Sequence, residues 1–208
     1  MRLRVTSAAI GPDELAPAVS ALHGGGVVAF PTETFYGLAV DPRSASAVTK
    51  VFDLKRRGRD QPLPLIASSV EQIVDHVGTL TRLAERLASR GWPGPLTLII
   101  PASPSLCDDV HLSTGKVAVR VSADPVARAL AHNAGHAITS TSANISGDPP
   151  ASTADHVAAS FCAGIDVLID AGSTPAGLPS TIVDVTGDVP VLVRAGAVPW
   201  ERVLEFSK

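Results

Sequence analysis

Four cations fall within five residues at Lys55-Arg56-Arg57-Gly58-Arg59, followed by Asp60. Ammonium and guanidinium groups at this density suit a triphosphate, whose charge they would offset. A solvated helix end with cations complementing the helix dipole, or a patch for an RNA backbone, would use the same residues. A second segment, Thr139-Ser140-Thr141-Ser142-Ala143-Asn144-Ile145-Ser146-Gly147, carries six hydrogen-bonding side chains in nine residues. A core would struggle to satisfy so many, so they read either as loop donors to phosphate or ribose oxygens or as a capped turn. Arg120 lies inside the apolar run Val117–Val121, where a guanidinium demands an anionic partner. That partner is either a structural carboxylate or a substrate's. Pro31–Leu38 sets hydroxyls, the Glu33 carboxylate and the Tyr36 phenol directly after an apolar run. Ligands of α/β folds gather at such strand ends, although a hydrogen-bonded turn has the same composition. Ser180-Thr181 precedes one apolar run and Arg194 ends another.

The elements that must position these groups alternate. Asp13 can cap a first helix bearing Leu15, Ala18, Val19 and Leu22, closed by Gly24-Gly25-Gly26. Val27–Phe30 reads as a buried strand, and 44–56 as a helix with Ala45, Val48, Val51 and Phe52 on one face. Leu63–Ala67 reads as a short strand that Pro62 and Pro64 push towards a sheet edge. Helices are predicted over 70–77 and 80–89, strands over 96–101 and 117–121, and Asp124-Pro125 opens a further helix. Strands near 137–140, 166–170, 181–185 and 189–193 follow, the last two flanking the hairpin signal Gly187-Asp188. Early alternation with a terminal hairpin predicts an α/β fold with a mixed sheet, in one domain.

The 208 residues are 45% hydrophobic and 18% charged, enough for a core that needs neither disulfides nor metal. The N-terminus lacks the apolar stretch of a signal peptide, and no apolar run approaches membrane-spanning length. A cytoplasmic protein without membrane contact is expected. Cys107 and Cys162 have no metal-ligand spacing and read as buried free thiols. Net charge is -3, so no global field draws in nucleic acid. Neither the Walker-type phosphate loop nor the dinucleotide fingerprint is present. His23-Gly24-Gly25-Gly26 has no nucleophile elbow to partner it.

Taken in order, PTETFYGLAVDP (31–42), KRRGRDQPL (55–63), WPGPLTLII (92–100), VAVRV (117–121), TSTSANISGDPP (139–150), PSTIVDV (179–185) and VLVRAG (191–196) resemble the YrdC-like threonylcarbamoyl-adenylate synthases. The resemblance runs from about residue 25 to residue 196. It implies a twisted open mixed sheet flanked by helices, with a concave, positively charged cavity. It also implies an enzyme joining L-threonine, bicarbonate and ATP, with Mg2+ accompanying the nucleotide, for modification of tRNA. Carried over motif by motif, ATP falls to Lys55, Arg57, Arg59, Ser142, Asn144, Ser152 and Arg194, with Lys55 and Arg57 as the catalytic pair. Threonine falls to Thr32, Arg120, Ser140 and Ser180. No resident metal site is implied, and tRNA and a downstream threonylcarbamoyl-transferase complex are candidate partners. Two departures stand out. Where many relatives have a histidine in the strand after K-x-R, this chain reads Pro62-Leu63-Pro64-Leu65-Ile66. The chain also stops at Lys208 without the second domain of some relatives, so a single domain over 1–208 is expected. An RNA-binding module without adenylate synthesis is the alternative, disfavoured by overall acidity and few aromatics for stacking.

Overall fold

The apolar runs of this chain are short, and so are the strands they form. The computed structural model describes residues 1–6, 10–59, 61–111, 113–161 and 163–208. Its strands are β1 (Arg2–Arg4), β2 (Val28–Phe30), β3 (Gly37–Ala39), β4 (Leu65–Ala67), β5 (Leu96–Pro101), β6 (Lys116–Val121), β7 (Ile138–Thr139), β8 (Thr141–Ser142), β9 (Val167–Asp170), β10 (Thr181–Asp184) and β11 (Val191–Arg194). Its α-helices are α1 (Ala16–His23), α2 (Ala45–Lys55), α3 (Val70–His76), α4 (Arg82–Gly91), α5 (Asp108–His111), α6 (Pro125–Asn133), α7 (Ala154–Ser160) and α8 (Trp200–Ser207). The helix starts follow side-chain chemistry. Ser44, Ser69, Thr81, Asp124 and Thr153 each accept an N–H of the first turn of α2, α3, α4, α6 and α7, satisfying donors that have no intrahelical partner. Asp13 does not cap α1 as expected. It lies inside a 3-10 turn, Pro12–Leu15, and Leu15 precedes the helix without a side-chain cap. The Glu14 carboxylate accepts from the Gly11 N–H at 3.1 Å, so the chain begins to coil before Asp13.

The mixed, open α/β architecture is borne out, with its strands divided between two sheets. One runs β1-β9-β2-β3-β8 and the other β11-β10-β5-β6-β4-β7. Parallel and antiparallel pairs occur in both, and the hairpin at Gly187-Asp188 is the antiparallel β10–β11 pair. β4 is not the edge strand that its prolines suggested. Pro62 and Pro64 precede it, and β4 lies between β6 and β7. The missing proline N–H groups therefore cost the ladder nothing.

A single residue, Ser140, separates β7 from β8, so the chain steps there from one sheet into the other. The step is stitched by Thr139, whose hydroxyl accepts from the Val40 N–H at 2.9 Å and donates to the Leu38 carbonyl at 3.1 Å. Two apolar clusters fill the interior. The larger joins α2, α4 and strands of both sheets, and the smaller packs α1 and α6 on Val28, Phe30, Ile66 and Ile169. α8 docks on α4, where Arg86 donates to the Ser207 carbonyl and Arg90 to those of Glu205 and Phe206. Those arginines satisfy helix-end acceptors that would otherwise lack partners.

His136 is buried beside Asp41, Arg43 and His23, with Nε2 3.5 Å from Asp41 Oδ2 and Nδ1 2.8 Å from the Ala137 carbonyl. Burial holds its pKa below the ordinary 6.5, and the Ala137 carbonyl and Asp41 offset this only partly. The unfolded chain therefore binds more protons just below that value, and stability must fall as pH drops through it. Asp41, held low by Arg43, loses its contribution only below about 3.8. Urea midpoints measured from about pH 7.5 down to about pH 5 should fall in the native chain and flatten in His136→Gln.

Candidate active site

A cavity of about 980 Å³ opens where the two sheets meet, and a polar recess of about 260 Å³ adjoins it. Arg57, Gln61, Ser142 and Asn144 line both, so the two form one cleft. Thr32, Gly37 and Ser142 come from the five-stranded side, and Arg120, Ser180, Ile182 and Arg194 from the six-stranded side. The charged groups on the main wall are Arg57, Arg120, Arg194 and the Asp148 carboxylate.

The K-x-R segment takes its shape from the end of α2. Arg56 caps the helix in the left-handed conformation, φ 51°, which turns the chain sharply and lets Arg57 enter the cleft. Arg57 donates to Thr141 Oγ1 and to the Pro62 carbonyl, both at 3.2 Å. Lys55 is buried, and its ammonium donates to the carbonyls of Ser142 and Asn144, the latter at 2.7 Å. The Lys55 carbonyl in turn accepts from Ser146 N–H at 3.0 Å. Burial first, and the Arg57 charge second, lower the Lys55 pKa to about 8. The ammonium thus welds the helix end to the S-A-N loop while facing the recess. Arg59 does not join this group: it lies outside the cleft, ion-paired to Asp109 at 3.2 Å and bonded to Thr49. The cation density of the segment is real, but a carboxylate from α5 claims its last member. Asp60 lies outside the described residues.

Arg120 has the anionic partner its burial demanded, and the partner belongs to the protein. Its Nε donates to Glu33 Oε1 at 3.1 Å, and Ser122 Oγ donates to the other carboxylate oxygen. Both side chains are nearly buried, at 6% and 12% exposed. Among the described residues the terminal guanidinium nitrogens of Arg120 have no protein partner, and Arg120 lines the cavity. The PTET turn that delivers Glu33 is closed by Thr32. Its hydroxyl accepts from the N–H groups of Thr34 and Phe35 and donates to the Phe35 carbonyl at 2.7 Å. Thr32 therefore lines the cavity with its hydroxyl proton committed to the turn. Tyr36 is buried beside it, its phenol donating to the Gly172 carbonyl at 2.7 Å, and burial pushes its pKa up to about 12.

Ser180 and Arg194 form one unit. Arg194 Nη2 donates to the Ser180 carbonyl at 2.8 Å and to its hydroxyl at 3.1 Å. Desolvation, and then the nearby Arg120 charge, lower the pKa of Arg194. Two residues beyond Arg194, Gly196 lies so close to the preceding backbone that an added Cβ would stand 2.3 Å from the Pro179 carbonyl. The Ser140 hydroxyl lines the cavity and has no protein partner among the described residues. The neighbours of Ser140 are less free than a polar loop suggests. Thr139, Thr141 and Asn144 are buried, because the segment turns the corner between sheets rather than looping into solvent. Asn144 Nδ2 donates to the Ile145 and Asp148 carbonyls, while its buried Oδ1 lacks a partner among the described residues. Ser142 and Ser152 line the wall.

Among the described residues no three His, Cys, Asp or Glu side chains gather to hold a metal ion. Cys107 is a free thiol, half-buried rather than buried, and burial pushes its pKa up. Cys162 lies outside the described residues. No helix among them is long and apolar enough to cross a membrane. In or just behind the cleft wall stand residues to which the sequence assigned no role. Glu33 was visible in PTET but not linked to Arg120. Gln61 lines the cleft and follows the cation cluster without a signal of its own, while behind the wall Thr97, in an apolar strand, donates to Ser180.

A family model named for Sua5, YciO and YrdC, described as "Telomere recombination", matches residues 20–196. The chain is 38% identical over 191 residues to a threonylcarbamoyl-AMP synthase of Bacillus subtilis, covering 91% of this chain and 55% of the relative. It is 40% identical over 186 residues to the Pyrococcus abyssi enzyme of the same name, covering 89% of this chain and 55% of that one. The solved structure of P. abyssi Sua5 complexed with L-threonine superposes with a TM-score of 0.93 at 37% identity, over 99% of this chain and 60% of the other. The chain thus spans about half the length of these curated relatives.

Truncating Glu33 would leave Arg120 buried without its counter-charge. Glu33→Ala should lose about 3–5 kcal/mol of stability by urea denaturation, and Glu33→Gln, which keeps one acceptor, distinctly less. Gly196→Ala should lose activity through the displaced Ser180 and Arg194 pair, with Gly196→Ser no better.

Proposed function

The chain belongs to the Sua5/YciO/YrdC family, and from that membership we propose that it is an L-threonylcarbamoyladenylate synthase. It joins L-threonine, bicarbonate and ATP into threonylcarbamoyl-AMP and pyrophosphate, in the cytoplasm, for N6-threonylcarbamoyladenosine formation in tRNA. The observation that carries this reading is the paired arrangement of anion-binding groups in one cleft. Lys55 and Arg57 meet the S-A-N loop at the recess, and Arg120, Ser180 and Arg194 meet across the main cavity. Two anionic substrates that must react with each other need two such stations within one chamber. The relatives' names and the threonine bound to P. abyssi Sua5 support this choice of substrates.

In this mechanism the threonine amine adds to bicarbonate with loss of water, giving the N-carboxy compound. A carbamate oxygen then attacks the α-phosphorus, the bond to the β-phosphate bridging oxygen breaks, and pyrophosphate leaves. Arg120 holds the threonine carboxylate through the guanidinium edge that Glu33 leaves free, with Ser140 and Ser180 completing that station and Thr32 shaping its wall. Lys55, Arg57, Ser142, Asn144, Ser152 and Arg194 hold the nucleotide, and Lys55 and Arg57 offset charge on the phosphates as pyrophosphate departs. Magnesium enters with ATP as part of the substrate. Walls of the cleft keep water from the mixed anhydride. The product then passes to a threonylcarbamoyl-transferase complex acting on tRNA. The strand in which many relatives carry a histidine reads Pro62-Leu63-Pro64-Leu65-Ile66 here, and Pro62 and Pro64 give the cavity an apolar stretch of wall.

Pyrophosphate release measured with each substrate omitted in turn tests the assignment, and dependence on all three is expected. Release that needs ATP but neither threonine nor bicarbonate would sink it. Lys55→Met, which keeps the buried stem, should lower this release by about 10²-fold or more. In the free protein Lys55 is charged only below about 8, so kcat/KM for ATP should fall as pH rises through that value.

A further inference from the structure

The hydroxyl of Ser180 accepts two hydrogen bonds from the protein. Thr97 Oγ1 donates to it at 2.8 Å and Arg194 Nη2 at 3.1 Å. An sp3 hydroxyl oxygen has two acceptor lone pairs and one proton. With both lone pairs filled, Ser180 has only its proton left to offer, and Ser180 lines the cavity. Its side chain can no longer rotate to suit a donor on the ligand without breaking a protein bond. Thr97 is itself buried, at 1% exposed, near the start of β5 and opposite Ile182 of β10. It does not line the cleft. Its hydroxyl has no other side-chain bond among the described residues, so its one polar contact is spent on Ser180. A polar side chain in an apolar strand, aimed at a cavity hydroxyl rather than at backbone, calls for a reason beyond strand packing.

We propose that Thr97 is a positioning residue: it fixes the Ser180 hydroxyl as an obligate donor aimed at an anionic oxygen of the ligand. The inference rests on the reading of Ser180 as part of the threonine station, where the acceptor is the amino-acid carboxylate beside Arg120. A donor locked in place rejects ligands that bring an N–H to the same point. A carboxylate is therefore preferred there over a carboxamide.

The test is a cycle of Thr97→Val, Ser180→Ala and the double variant, with Thr97→Ser as the conservative control. Thr97→Val matches the volume and removes only the donor. It should raise KM for threonine roughly tenfold and leave kcat and KM for ATP within about twofold. Thr97→Ser should recover most of the loss. In the Ser180→Ala background Thr97→Val should have no further effect, because the hydroxyl it orients is gone. Discrimination between threonine and threonine amide, read by competition, should also narrow in Thr97→Val. A Thr97→Val effect that persists undiminished in Ser180→Ala would mark Thr97 as packing alone and overturn the proposal. So would a threonine KM unchanged in Thr97→Val. Threonine failing to bind the wild-type protein at all would instead overturn the function reading, and this proposal with it.

Discussion

The buried ion pair between Glu33 and Arg120 is the constraint on which the cleft depends. Glu33 comes from the turn between β2 and β3 in one sheet, and Arg120 from β6 in the other. A cavity between two sheets has no packing of its own to hold its walls at a set spacing. Here the spacing is held by opposite charges with little access to water. Desolvating both groups is costly, and the attraction recovers that cost only with close geometry and further hydrogen bonds. The Ser122 hydroxyl on the second carboxylate oxygen supplies one of these. The arrangement also leaves part of the guanidinium unspent, so one arginine braces the walls and faces the cavity.

Lys55 plays the matching part on the other flank. Its ammonium holds two carbonyls of the S-A-N loop to the end of α2. An ammonium has three donors, and two are used in this way. The same group therefore organises the recess and keeps one donor for whatever enters. In both places the cation is half structural and half available. That division explains why a cleft with so many polar groups leaves few of them idle.

The chemistry was legible in the sequence where like groups stood together or where a charge stood out against an apolar run. The Lys55–Arg59 density, the S-A-N segment and the lone arginine in an apolar strand all pointed at the cleft. What could not be read was which distant residue each would meet. Arg59 and Asp109 are far apart along the chain, and nothing local predicts that they pair. Thr97 reads as an ordinary strand threonine until Ser180 is seen opposite. Among the elements, β3 and β8 escaped notice because Gly37-Leu38-Ala39 and Thr141-Ser142 do not alternate in polarity. β3 is a strand because it pairs with β2, and β8 because it pairs with β3 across about a hundred residues of chain. The hydroxyl-rich stretch through Thr139 and Thr141 looked too polar to bury. It is buried because a chain crossing between sheets must satisfy backbone groups that neither ladder reaches.

The pairing of β1 bears on the order of events during synthesis. Among the described residues β1 pairs only with β9, Arg2 opposite Leu168 and Arg4 opposite Asp170, and the Met1 amino group donates to the Asp166 carbonyl at 2.8 Å. β1 is thus synthesised well before its partner β9, which lies most of this sequence further along the chain. Contacts so distant along the chain are slow to form, and unpaired strand edges are open to wrong partners meanwhile. Arg2 and Arg4 put positive charge on that waiting segment, and charge on an exposed edge discourages pairing with other chains. Once β9 arrives, the same arginines meet Asp155 and Asp170. The charges that keep the early strand apart from strangers become the ones that recognise its proper neighbour.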